Sequence, residues 1–271
     1  MSGKLTRTLL LAAALTAISA SAQAVTITFD PITAAWTSIV PASGITSTGN
    51  GTTTASLRWG VSQGSGQSGY DFTAAIAPLN VVMPPDPSNE FSLGLFTHFN
   101  NPITGTALSS ATLEVTAFLK LIDDSNVATD IGNRTFSFNF VHNETPNADD
   151  PCANGQPNGS GVNVNGCADI ITVSVSSGTE SFSIGGVDYT LGVQGFLATS
   201  GPNIGTLVTG FQTVEAATNT AQIVTIADKT ENVLVPEPGI LALLAGGLLG
   251  LGLALRRRGP GHWGRAAFSA A

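Results

Sequence analysis

Leu113-Glu114-Val115-Thr116-Ala117-Phe118-Leu119-Lys120-Leu121 alternates apolar and polar residues, with Phe118 as the one exception. Successive side chains of a strand point to opposite faces. Residues 113, 115, 117, 119 and 121 therefore line one face, while Glu114, Thr116 and Lys120 line the other. The same period of two recurs outward from this stretch. Phe136, Phe138 and Phe140 alternate with Thr135, Ser137 and Asn139; Ile171, Val173 and Val175 alternate with Thr172, Ser174 and Ser176. Val187, Tyr189, Leu191 and Val193 alternate with Asp188, Thr190, Gly192 and Gln194. Each reads as a half-buried strand. Segments 25–29, 33–40, 55–60, 91–99, 206–214 and 222–227 are further candidates, and no long helical stripe precedes Pro236. The pattern predicts an all-β chain: an antiparallel, jelly-roll-like β-sandwich over 25–234, folded as one domain, with long loops at 78–90 and 143–168.

Composition points to the same class and to export. Only 10% of the 271 residues are charged, 42% are hydrophobic and 31 are Gly, too apolar for a disordered chain. Residues 25–235 hold four basic and 17 acidic side chains, a net charge of −13. Such a body repels phosphate backbones, which argues against a nucleic-acid partner.

Both ends read as addresses. Lys4 and Arg7 precede an apolar run from Leu9 to Ile18, and Ala22-Gln23-Ala24 supplies small residues at the positions signal peptidase reads. Residues 1–24 are therefore expected to be a signal peptide. At the other end, Val235-Pro236-Glu237-Pro238 precedes the uncharged run Gly239–Leu255 and then Arg256-Arg257-Arg258. Seventeen helical residues span about 26 Å, enough for a thin bilayer. The arginines would stay on the cytoplasmic side, followed by a tail at 259–271. Together, Pro236, Glu237, Pro238, the span at 239–255 and Arg256–Arg258 resemble the PEP-CTERM sorting signal of Gram-negative bacteria (235–258). That resemblance implies processing by exosortase, initial anchoring in the inner membrane, and delivery to the cell surface or extracellular matrix.

Cys152 and Cys167 are the only cysteines. In an exported chain an isolated pair oxidises, and closing this loop stabilises by roughly 3 kcal/mol. A redox pair needs two intervening residues, and a structural zinc site needs more ligands than this segment holds. Asp149, Asp150, Asn154, Asn163, Asn165 and Asp169 surround the pair and raise the question of calcium. No D-x-D-x-D-G register is present, and short polar side chains equally make Asx turns. No cofactor is therefore assigned beyond a weak case for calcium.

Several catalytic signatures fail on context. Gly60-Val61-Ser62-Gln63-Gly64 matches a nucleophile elbow, and Gly64-x-Gly66-x-x-Gly69 a dinucleotide fingerprint, but each requires a following helix that this Gly/Ser-rich loop does not supply. The sequons at Asn50, Asn133, Asn143 and Asn158 are read as coincidences in an Asn/Thr-rich chain. The expected ectodomain carries two histidines, His98 and His142. With a nearby acid they can hold a metal, although nothing in their spacing demands one, so no catalytic or metal residue is assigned.

Phe91-Ser92-Leu93-Gly94-Leu95-Phe96-Thr97-His98-Phe99-Asn100-Asn101-Pro102-Ile103 resembles a motif of the THxN family of PEP-CTERM proteins and of the choice-of-anchor K domain. Thr97, His98 and Asn100 carry the match. Leu57-Arg58-Trp59-Gly60, Phe140 to Asn147, and the Cys152/Cys167 pair before Asp169-Ile170 fit the same pattern, so the resemblance covers roughly 30–215. It implies an anchored extracellular domain and brings no catalytic residue. With Phe99 inward, His98 and Asn100 would form a polar pair on the outer face or at a strand end. The expected function is a non-enzymatic surface or matrix protein associated with extracellular polysaccharide. The alternative is a secreted polysaccharide hydrolase or carbohydrate-binding module.

Overall fold

The computed structural model describes residues 25–83, 90–201 and 203–231. The expected signal peptide (1–24), Pro236, Glu237, Pro238, the span at 239–255, Arg256–Arg258 and the tail at 259–271 lie outside the described residues. Among those described, no helix is long and apolar enough to cross a membrane. The strands below belong to one compact unit that ends at Thr230, apart from the final residue of the last strand.

In chain order the strands are β1 (Val25–Val40), β2 (Ile45–Thr48), β3 (Thr54–Trp59), β4 (Val61–Ser62), β5 (Ser68–Ala74), β6 (Leu79–Met83), β7 (Glu90–Asn100), β8 (Ile103–Thr104), β9 (Ser110–Ile122), β10 (Ala128–Asn143), β11 (Asp169–Ser177), β12 (Thr179–Ile184), β13 (Val187–Ala198), β14 (Leu207–Val208), β15 (Gly210–Thr213) and β16 (Ala217–Glu231). A 3₁₀ turn at Gly161–Asn163 is the sole helical element among the described residues. One sheet runs β15-β11-β10-β9-β1-β6 and the other β12-β13-β16-β7-β5-β3-β2, with β14 beside β13 and a small β4-β8 ladder apart.

The two sheets face each other across aromatic contacts. Trp36 of β1 meets Tyr70 of β5 at 5.5 Å between ring centroids, and Phe140 of β10 stacks on Phe96 of β7 at 5.0 Å. Phe138 meets Phe196 edge-on at 5.6 Å. The period-two reading of β9 holds along its whole length: Ala111, Leu113, Val115, Ala117, Leu119 and Leu121 are buried. Phe136, Phe138 and Phe140 are fully buried on the neighbouring strand.

Three expectations need correction. Val175 is not a core residue; it is 39% exposed. The cover from β15 stops opposite Thr172, and a register shift at Ser137/Phe138 disturbs the other side. Segments 25–29 and 33–40 are one strand, interrupted by a register shift between Phe29 and Ile32. Finally, β5 arises from what the sequence presents as the end of a Gly/Ser-rich loop, and it pairs with both β3 and β7. Strands β2, β6 and β12 were likewise not legible as such.

Candidate functional site

Strand β7 decides which side chains enter the space between the sheets at one end of the sandwich. Opposite β16, Gly94 pairs with Ile223 but Ser92 with Val224, so Leu93 is one residue extra on β7. A bulge of this kind resets the alternation of faces. Leu93 is inward before it; Phe96, His98 and Asn100 are inward after it, all at most 2% exposed. Gly94 permits the crossing, because a Cβ there would collide with the Phe72 ring. The expected orientation of the Thr-His-Phe-Asn segment is thus inverted. Phe99 faces outward beneath the guanidinium of Arg58, 4.8 Å from its centroid, and Arg58 pairs with Asp71 at 2.7 Å. His98 and Asn100 are core residues.

Four segments converge on His98. Tyr70 of β5 is its direct cross-strand partner. Trp59 of β3 lies roughly parallel to the imidazole, with centroids 6.0 Å apart. Across the gap, His142 of β10 approaches edge-on at 5.3 Å. Asp169, the first residue of β11, completes the group: one ligand atom from each of His98, His142 and Asp169 lies within 4.8 Å of the other two. Glu144 follows His142, and Glu215 sits in the turn between β15 and β16, where Asn219 bonds both the N–H and C=O of Val214.

Each imidazole has one nitrogen engaged from outside the cluster. His98 Nδ1 lies 3.1 Å from Thr213 Oγ1, and the Asn100 amide donates to the Thr213 carbonyl at 2.9 Å. His142 Nδ1 lies 2.6 Å from the Tyr70 hydroxyl. The other nitrogens face inward. His142 Nε2 is 3.2 Å from Glu144 Oε2 and 3.6 Å from Asp169 Oδ2, while the Trp59 indole N–H donates to the same Glu144 oxygen at 3.1 Å. Asp169 Oδ1 accepts the Thr145 N–H at 2.9 Å.

What remains is a concentration of buried polar atoms without partners. Among the described residues, His98 Nε2, Asn100 Oδ1, Asn147 Oδ1, Asp169 Oδ2 and both carboxylate oxygens of Glu215 have no hydrogen bond. Orphaned buried polar atoms are uncommon and call for an explanation. The electrostatics carry the same strain. Burial, reinforced by the charge of Glu144, pushes the Asp169 carboxyl up to about 9, against the opposing Thr145 hydrogen bonds. Burial pushes Glu215 up to about 7; the side chains of Asn147 and Asn100 approach and oppose the rise, yet neither oxygen has a partner in bonding geometry. Burial, then the neighbouring His142, lowers His98 well below the usual imidazole range. Burial and the charges of Asp169 and Glu144 hold Tyr70 a neutral phenol.

The loop leading into Asp169 is closed by the Cys152–Cys167 disulfide, as expected. Its amide side chains mostly bond one another or backbone carbonyls, and Asp150 accepts the Asn158 N–H at 3.2 Å. Asn154 and Asn163 exchange reciprocal amide bonds at 3.0 and 3.1 Å, Asn158 donates to the carbonyls of Asn147 and Asp149, and Asn165 donates to the Glu215 carbonyl at 3.0 Å. The loop therefore uses these side chains as turn fasteners, while Asp169 turns inward to the histidines. Thr145 ties the two parts together, its hydroxyl donating to the carbonyls of Cys167 and Ala168. Ser62, in the elbow-like sequence, is exposed on β4 and accepts the N–H groups of Gly64 and Gly66; it fastens its own loop.

The sequence offered His98 and His142 as possible ligands but not Asp169, Glu215, Tyr70 or Thr213 as their neighbours. Only strand pairing joins them. No match to a curated protein was found for this chain. Residues 234–258 match the PEP-CTERM protein-sorting motif, which implies membrane anchoring, processing by exosortase and export to the surface.

Proposed function

We propose that the chain is an exported surface or extracellular-matrix protein of a Gram-negative bacterium, with a non-enzymatic β-sandwich that associates with polysaccharide. In this reading signal peptidase removes 1–24, residues 25–234 form the ectodomain, exosortase acts at 235–258, and 259–271 is a cytoplasmic tail. The ectodomain is taken as a relative of the THxN and choice-of-anchor K groups. The observation that carries the proposal is the sorting motif at 234–258, which begins three residues after the last strand.

Two structural features support the rest. The outer face of the β9–β10 pair is a ladder of hydroxyls and amides. Thr112 donates to Asn139 at 2.9 Å, and Thr116 lies 2.8 Å from Thr135. Thr33 and Thr37 continue these rows onto β1. Beside the carboxylate of Glu114, which accepts from Thr37 at 3.4 Å, this face offers mainly neutral hydroxyls and amides, which hydrogen-bond sugars at a lower desolvation cost than charged groups. The clustered Asp169 and Glu215 are at most 1% exposed, so a polymer chain does not reach them as it must reach a glycosidase's carboxylates.

The test is fractionation of cells with and without exosortase, followed by a glycan array probed with the exported protein. Release or surface display that depends on exosortase, with glycan binding weakened by Thr112→Ala and Thr116→Ala, is expected. Full-length protein retaining residues 1–24 in the cytoplasm would overturn the proposal.

A further inference from the structure

The partnerless atoms at the end of the sandwich converge from both sheets, and their chemistry is that of a metal site. His98 reaches in from β7 of one sheet; His142 and Asp169 reach in from β10 and β11 of the other. We propose that His98 Nε2, His142 Nε2 and Asp169 Oδ2 bind a first-row divalent cation of the zinc class, which bolts the two sheets together beside the disulfide loop.

The donor set selects the ion. Two imidazoles and a carboxylate suit Zn²⁺ and its transition-metal neighbours, whereas Ca²⁺ takes six to eight oxygens and no nitrogen. Zinc ligands at 2.0–2.1 Å in a tetrahedron are separated by about 3.3 Å. His142 Nε2 and Asp169 Oδ2 are 3.6 Å apart, and the whole triad lies within 4.8 Å, so closure onto an ion needs only small side-chain movements. Glu144 Oε2, 3.2 Å from His142 Nε2, stands beside the remaining coordination position.

The surrounding bonds prepare both rings for this role. Metal-bound histidines donate their second N–H to an oxygen, which fixes the tautomer and ring plane. Thr213 Oγ1 stands ready to accept from His98 Nδ1, and the Tyr70 oxygen to accept from His142 Nδ1. Both Nε2 lone pairs are then available for the ion. His98 Nε2 is the strongest single indication: it is fully buried and without any partner among the described residues, on a ring that lies within reach of His142 and Asp169. A cation also supplies the positive charge that this end of the molecule lacks. Among the described residues, Glu144 and Asp169 find only His142 as an ion-pair partner, and both oxygens of Glu215 lack a hydrogen bond.

The proposal is independent of what the outer surface binds. It is tested on the exported, disulfide-bonded full chain, stripped with a chelator and titrated separately with Zn²⁺, Co²⁺ and Ca²⁺. One equivalent of Zn²⁺ is expected to bind, and Co²⁺ to give the intense visible band of a four-coordinate nitrogen–oxygen site. His98→Gln and Asp169→Asn should each weaken Zn²⁺ binding by about 100-fold, and Thr213→Val, which touches no metal, by about tenfold. Asp130→Asn, at an exposed residue paired with Lys120, should change nothing. If the ligand variants fail to fold, the Co²⁺ spectrum and stoichiometry of the unaltered chain decide the matter. A folded chain that takes up neither Zn²⁺ nor Co²⁺, or only Ca²⁺, overturns the proposal; so does undiminished binding by folded His98→Gln.

Discussion

The middle of the sandwich and its polar end are built from the same strands by the same rule, and they differ in what the inward positions hold. Around Phe140 the inward residues are Trp36, Tyr70, Phe96 and Phe196, with ring centroids 5.0 to 5.7 Å away. Two residues further along β7 and β10, the inward positions become His98 and His142. The middle gains from every contact, since apolar burial and dispersion need no specific partner. The end holds ionisable groups at the same depth and leaves several unpaired, a costly arrangement unless something compensates it. One region accounts for much of the apolar burial that drives folding; the other is the region that the proposed cation would complete.

The comparison can be attacked from either side. The largest effect belongs to the middle: Phe140→Ala should cost about 3–5 kcal/mol, the range for truncating a buried aromatic residue, measured by chemical denaturation. A loss below about 1 kcal/mol would mean that the aromatic cluster is loosely packed. Next is the covering loop. Replacing both Cys152 and Cys167 with Ser should cost about 3 kcal/mol on the loop-closure argument, lowering the melting temperature while the far-ultraviolet spectrum keeps its β signature. Two alkylatable thiols in native, oxidised protein would contradict the bond itself.

At the polar end, chelation should destabilise and free Zn²⁺ at one hundred times its dissociation constant should restore about 2.7 kcal/mol, read as a reversible shift in melting temperature. An unchanged melting curve would equate the two regions after all. The smallest effect separates them most finely. Thr213→Val preserves shape but removes the acceptor beside His98 Nδ1, for a loss of about 1–2 kcal/mol. That loss should grow in the presence of Zn²⁺, because only the metal-bound ring requires its proton on Nδ1. An equal loss with and without Zn²⁺ would reduce Thr213 to a packing residue.

Much of the sandwich was readable because a half-buried strand writes its two environments into alternate residues. Strand β9 and the second half of β10 show this, and the alternation alone marks every second residue from Leu113 to Leu121, with Phe136, Phe138 and Phe140, as inward. Strand β5 escaped because Gly66-Gln67-Ser68-Gly69 has loop composition, and with it went Tyr70. Gly69 belongs there for a tertiary reason: a Cβ at that position would meet the Leu57 carbonyl and the Arg58 side chain of the paired strand. Strand β7 is legible in the sequence, but which of its faces points inward is not. Phe99 is the natural inward candidate by hydrophobicity, and only the extra residue at Leu93 turns Phe96 and His98 inward instead.

By itself, then, the sequence determined the class of fold, the identity of most core residues in β9 and β10, the disulfide partners and the sorting motif at 234–258. These are local facts: periodicity, a single pair of cysteines, and a contiguous sequence signal. The polar cluster was decided by the tertiary structure alone. His98, His142, Asp169 and Glu215 are separated by dozens of residues along the chain and share no spacing. Their meeting depends on a one-residue bulge, on the pairing of β10 with β11, and on two sheets closing over the same end. Register and sheet packing are properties of the whole chain, and a shift of one residue would have turned His98 and Asn100 out to solvent.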